Sequence, residues 1–88
     1  DIVANNNGLV MLPNPAVNEV QIDLPKLQGK SKKSLKIMDL NGHIIVQFDN
    51  IDQGKSTIRI NLNDFVVGIY LVVYQEGKII STGKLQKI

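Results

Sequence analysis

Residues 61–88 read NLNDFVVGIYLVVYQEGKIISTGKLQKI, and this stretch decides the fold. Gly68 opens the run Ile69-Tyr70-Leu71-Val72-Val73-Tyr74, which is β-branched, aromatic and apolar at both parities. Such a run suits a strand in the middle of a sandwich rather than on its edge. Glu76-Gly77 then supplies a turn, because glycine takes positive φ without a steric penalty. A two-residue loop there sets Tyr74 against Ile79 and Val73 against Ile80. The chain returns through Ser81, Thr82, Gly83, Lys84 and Leu85 to Ile88, a final strand rich in β-formers. Terminal residues of this kind are tied into a sheet, since untied ones fray.

Working back along the chain, Ser56 to Leu62 alternates, with Ile58, Ile60 and Leu62 inward and Thr57, Arg59 and Asn61 outward. Asn63-Asp64-Phe65 reads as a helical turn or a tight corner, with Phe65 plugging the end of the core. Asn41-Gly42 sits between LKIMDL and HIIVQF and predicts a type I′ hairpin. That register pairs Leu40 with His43, Asp39 with Ile44, Met38 with Ile45, Ile37 with Val46 and Leu35 with Phe48. Leu35, Ile37, Ile44, Val46 and Phe48 then share the core face. Asp39 falls on the same face, and its carboxylate needs donors from the turn backbone. Further back, Val20, Ile22 and Leu24 alternate with Glu19, Gln21 and Asp23 in a half-buried strand. Leu9 to Leu12 reads as a short first strand that Pro13-Asn14-Pro15 ends by removing two donors. Residues 1–8, DIVANNNG, read as a polar linker ahead of one domain over residues 9–88. About seven short strands with no helical periodicity predict an all-β, immunoglobulin-like antiparallel β-sandwich, with a small closed barrel as the alternative.

Composition narrows the function. Eighty-eight residues make one domain, with stability of about 4–13 kcal/mol. Without cysteine there is no disulfide framework and no thiol chemistry. A net charge of +2 does not point to nucleic acid, and no apolar run has the ~20 residues needed to cross a bilayer. The chain starts at Asp1 and has no signal peptide, so it reads as a fragment or a processed piece. Lys26, Lys30, Lys32 and Lys33 make PKLQGKSKKS the most basic segment, read as a solvated loop. Contact with an acidic partner or an anionic lipid surface is its other reading.

Catalytic constellations are missing from the pattern. His43 is the sole histidine and flanks a turn, with no nucleophile or orienting acid converging on it. Asp49, Asn50, Asp52 and Gly54 look like part of a calcium loop but lack its full spacing, and turn chemistry accounts for them. A sugar platform needs exposed aromatics, whereas Tyr70 and Tyr74 lie on a strand read as buried. The domain is therefore read as no enzyme, with no cofactor and no metal site.

Three pieces in order form a family pattern. Leu12-Pro13-Asn14-Pro15-Ala16 precedes the first clear strand, and Ile37-Met38-Asp39-Leu40-Asn41-Gly42-His43 makes the central hairpin. Leu62-Asn63 leads through Gly68-Ile69-Tyr70-Leu71-Val72 and Gly77-Lys78 to Lys84-Leu85-Gln86-Lys87-Ile88. Over residues 9–88 the chain resembles the C-terminal sorting domain (type A) of cargo proteins of the type IX secretion system of Bacteroidetes. The family often carries an aromatic where this chain has Leu12 and Met38. The resemblance implies a non-catalytic sorting signal at the end of a larger exported protein. It implies passage through the periplasm to an outer-membrane translocon and then the cell surface or the extracellular space, commonly with removal by a sortase-like surface peptidase. The alternative is an immunoglobulin-like adhesion or spacer module. Motif positions of structural weight are then Pro13, Asn14, Pro15, Asp39, Asn41 and Gly42. Recognition is expected at Gly68, Tyr70, Gly77 and, above all, Lys84, Leu85, Gln86, Lys87 and Ile88. Ile79 to Ile88 is expected to be an edge strand that adds to a translocon strand or to a second copy in a homodimer.

Overall fold

A computed structural model describes residues 3–5, 9–25, 32–52 and 54–88. Eight strands follow one another: β1 (Val3–Asn5), β2 (Val10–Leu12), β3 (Glu19–Asp23), β4 (Lys33–Asp39), β5 (Ile44–Ile51), β6 (Thr57–Asn61), β7 (Gly68–Glu76) and β8 (Ile79–Lys87). They form a five-stranded sheet, β1-β8-β7-β4-β5, and a three-stranded sheet, β2-β3-β6. All pairings are antiparallel except β1 with β8. The all-β sandwich anticipated from the alternation is the observed class. Residues 3–5, expected within a linker, instead pair with Ile79–Ser81.

β7 is central, between β8 and β4, as its two-sided apolar run requires. Tyr70, Val72 and Tyr74 face the core. Leu35 and Ile37 of β4, Leu85 of β8, Val20 and Ile22 of β3, and Ile58, Ile60 and Leu62 of the β6 segment complete it. The inward residues of β3, β4 and the β6 segment follow the predicted parity; β7 was apolar at both parities, and Leu85 was expected in the recognition strand rather than in the core. Truncating Ile37 or Ile60 to Ala is expected to cost about 2–5 kcal/mol in denaturant melts, and an unchanged melt would contradict this face assignment.

Three registers depart from expectation, each for a physical reason. The β7–β8 turn is Gly77-Lys78, with Glu76 opposite Ile79 and Tyr74 opposite Ser81. Glycine holds the first turn position at φ 60°. Glu76 stays in the strand because its carboxylate is buried beside Lys33 and the Tyr74 hydroxyl. In the β4–β5 hairpin, Ile37↔Val46 and Leu35↔Phe48 stand as predicted, but a bulge sets Met38 opposite Ile44. The Asp39 amide donates to the His43 carbonyl and the Gly42 amide to the Asp39 carbonyl, enclosing Leu40-Asn41-Gly42. Only Gly42 of the three has positive φ, at 88°. This three-residue loop with a glycine bulge replaces the expected type I′ turn. The shift leaves Ile44 49% exposed, and Phe48, still opposite Leu35 but on a strand at the sheet's edge, is 38% exposed, so of the β5 residues assigned to the core only Val46 packs against it.

The third departure concerns β8. It was expected to be an open edge, yet its outer side is occupied along most of its length. β1 covers Ile79–Ser81, and the Leu9 amide donates to the Thr82 carbonyl at 3.2 Å. Farther on, Asn14, Ala16 and Val17 take over. The edges of the larger sheet are β1 and β5, and β5 carries register shifts near both ends of its ladder with β4. Such irregularities blunt an edge against casual pairing.

Candidate recognition surface

Pro13-Asn14-Pro15 does stop the β2 ladder, and the asparagine then does what a strand would do. Its Nδ2 donates to the Lys84 carbonyl at 2.8 Å, and its Oδ1 accepts from the Gln86 amide at 3.0 Å. One side chain thus bonds the backbone of two alternate residues of β8. Ala16 continues the row: its amide donates to the Gln86 carbonyl at 2.8 Å, and its carbonyl accepts from the Ile88 amide at 2.9 Å. Lys87 Nζ donates to the Val17 carbonyl at 2.6 Å. The motif residues at the two ends of the chain are therefore one structural unit. The proline pattern announced an interruption; nothing in the sequence announced the partner of Asn14.

The expected recognition residues separate by side-chain exposure. Lys84, Gln86 and Ile88 point to solvent, and Lys87 is half-buried. Leu85 is wholly buried and contributes to the core, so its side chain is not on offer. Gly83 marks a close approach: a Cβ there would stand 2.6 Å from Met11 Cε and 3.5 Å from Leu9 Cβ. Glycine at this point lets β2 pack across β8.

Gly68 and Tyr70 position the connection between β6 and β7. The Tyr70 hydroxyl donates to the Val66 carbonyl, and its ring meets Phe65 edge-on at 5.2 Å between centroids. Phe65 also donates its amide to the Leu62 carbonyl, closing the tight corner read from sequence. Val66 and Val67 are left outside.

Asp39 receives the donors that its position demanded. Oδ1 accepts from the Asn41 and His43 amides, both at 2.9 Å, and Oδ2 faces His43 Nδ1 at 3.2 Å. The His43 amide bond leads in holding its pKa below the ordinary carboxylate value. A depressed folded pKa means that the turn's stabilisation is complete above the unfolded value and lost as pH falls through the folded one. On acidification, the Asn41 and His43 amide resonances are expected to move together, below the ordinary Asp range. Movement at or above that range would contradict the bonding.

The lysine-rich segment contains a feature that its composition hid. Lys33 is buried in β4, with Nζ 3.8 Å from Glu76 Oε1. The Tyr74 hydroxyl donates to that same oxygen at 3.1 Å. Burial first, then the Glu76 carboxylate, pushes the Tyr74 phenol well above its usual value. Lys32 is exposed, as expected of a solvated loop; Lys26 and Lys30 lie outside the described residues. His43 is exposed at its turn. The Asp52 carbonyl and carboxylate accept from Lys55 and Gly54 amides, ordinary turn bonding. Among the described residues, no group of three or more His, Cys, Asp or Glu side chains is placed to hold a metal ion. Among them, too, no helix is long and apolar enough to cross a membrane.

This is a small β-sandwich whose first and last motifs are clamped together, with no assembled catalytic cluster among the described residues. The same fold occurs in the sulfur carrier protein SoxY from Chlorobium limicola f thiosulfatophilum, at a TM-score of 0.60. That likeness covers 99% of this chain and 84% of SoxY at 13% identity, so it concerns the fold alone. No curated protein matches the chain. Residues 10–87 match the secretion system C-terminal sorting domain, and the chain belongs to that family. It is a type IX secretion sorting signal, of a family that is in general non-catalytic, and membership implies interaction with the secretion system and export to the cell surface or beyond.

Proposed function

We propose that the domain is read in its folded state by the type IX outer-membrane translocon, after transit through the periplasm. A sortase-like surface peptidase then cuts on the N-terminal side of Leu9. The observation that carries this reading is the Asn14 clamp. Pro13-Asn14-Pro15 and Lys84 to Ile88 are some 70 residues apart in sequence but adjoin in the sandwich. A receptor that meets the folded domain meets both motifs at once, with Lys84 and Gln86 presented outward from a fixed backbone. Strand addition at β8 is replaced by this reading, because the groups such addition needs are already bonded. Of the expected partners, the secretion machinery is the one addressed; pairing with a second copy is not required.

Fusion of residues 1–88 to a periplasmic reporter tests the proposal. Export is expected in cells with the type IX machinery and not in cells lacking it. Asn14→Ala is expected to lower export further than it lowers the folded fraction measured by circular dichroism. Export without the machinery would instead mark a spacer module. N-terminal sequencing of released domain is expected to place the cut before Leu9 and outside Val3–Asn5, and a cut inside Glu19–Asp23 would contradict it, because laddered strands resist cleavage.

A further inference from the structure

Exposed apolar side chains gather at one end of the sandwich. The ladders set Asp39 opposite Tyr70, Lys87 opposite Gly68 and Asn61 opposite Glu19. The β4–β5 turn, the β6–β7 connection and the end of β8 therefore meet there. Leu40 (73%), Val66 (78%) and Val67 (68%) are the most exposed large hydrophobics among the described residues. With Ile45, Ile69 and Asp39 they line an open groove of about 340 Å³. Single exposed aliphatics are ordinary on a protein surface, whereas a contiguous set marks an interaction site.

Three observations define what fits. The walls are aliphatic. The β4–β7 ladder ends at Tyr70, while β8 goes on to pair with Ile69 and Gly68. One side of β7 is therefore unmatched by β4 at this end, which suits an extended segment laid alongside it. The Asp39 carboxylate gives the groove a negative rim: Oδ1 is filled by two amides, but among the described residues Oδ2 faces only the His43 ring. A cationic side chain can take that oxygen in a charge-assisted bond. The Tyr70 bond to the Val66 carbonyl holds the valine wall in place beforehand, which lowers the ordering cost of docking.

We infer that this groove docks an extended aliphatic segment of a partner protein, with a lysine or arginine next to its aliphatic residues to meet Asp39. The inference deepens the sorting reading and rests on it for the partner's place in the secretion machinery; the binding itself needs no export. The test is an NMR titration of the isotope-labelled domain with the peptide acetyl-Val-Lys-Val-Lys-amide. Its comparators are the Val-Glu-Val-Glu and Ser-Lys-Ser-Lys peptides. Shift changes are expected at the amides of Leu40, Ile45, Val66, Val67 and Ile69, with affinity several-fold weaker for both comparators. Asp39→Asn is expected to erase the preference for Lys over Glu. Val67→Asp is expected to abolish binding with melting unchanged, since that side chain faces solvent. Absence of shifts at these amides, shifts confined to β5, or equal binding of the Glu peptide would overturn the inference. Concentration-dependent shifts of the same amides without peptide would overturn the assigned occupant in favour of a second copy. A domain that exports its reporter but binds no peptide sinks the groove and leaves the sorting reading standing. A domain that binds the peptide at these amides but exports nothing does the reverse.

Discussion

Lys33→Met is expected to destabilise the domain by about 3–5 kcal/mol, because it leaves the Glu76 carboxylate buried without its cation. The two side chains are 9% and 2% exposed, and the Tyr74 phenol also bonds the shared Glu76 oxygen. One phenol donor does not replace an ammonium for a desolvated carboxylate. Against a total of about 4–13 kcal/mol, the loss is large enough to unfold a substantial share of the molecules. Urea melts measure it. The double variant Lys33→Met with Glu76→Leu is expected to recover much of the loss, since removing both charges together removes the desolvation penalty. A single variant that melts within about 0.5 kcal/mol of the parent would show that the buried pair contributes nothing.

Deletion of Gln86 to Ile88 is expected to be the second large effect, and its direction reverses what an open edge strand would give. An unattached edge would lose little on trimming. Here the deletion removes the Gln86 amide bond to Asn14, the Gln86 and Ile88 bonds to Ala16, and the Lys87 bond to Val17. It also removes the last ladder pairs with Gly68 and Ile69. At about 0.5–1.5 kcal/mol for each bond, the four outer contacts alone amount to roughly 2–6 kcal/mol. Circular dichroism melts of the truncated domain read the effect directly. A melt that matches the parent would mean that these bonds do not persist in solution. Loss of export after this deletion therefore cannot by itself identify a recognition element, which is why exposed positions such as Val67 make the better functional variants.

Alternation made most of the fold legible. Val20, Ile22, Ile58, Ile60, Leu62 and Tyr70 lie where a period of two placed them, because a sheet with one wet face tolerates no slip by one residue. The hairpin at Asn41-Gly42 was also legible, along with the need of Asp39 for backbone donors. Parity survives small changes of turn length; register does not. A three-residue loop and a bulge moved Ile44 outward without altering Ile37↔Val46 or Leu35↔Phe48. What stayed hidden depends on contacts between distant segments. A lysine among lysines reads as solvated, so the burial of Lys33 shows only once its strand faces Glu76. The parity of Tyr74 and Glu76 was the one available hint. Likewise the edge status of β8 depended on residues 14–17, whose prolines read only as an end to pairing. The candidate groove was legible only as scattered hydrophobics, because Leu40 and Val66-Val67 meet through topology.

The reach of the Asn14 clamp also sets when the domain can mature. Asn14 joins residues 70 and 72 positions away, and the β3–β6 and β4–β7 ladders also join segments far apart along the chain. Contacts so distant along the chain place folding toward the slow end for small domains, roughly milliseconds to seconds. A chain delivered with its N-terminus first has β2 to β7 in hand before β8 arrives to receive Asn14 and Ala16. Stopped-flow refolding of Asn14→Ala would show whether the clamp forms late, in which case unfolding accelerates and folding hardly changes. The last strand then seals the sandwich by locking the first motif in place. A polypeptide cut short before Lys84 has nothing for the first motif to grip, so it does not acquire the finished sandwich.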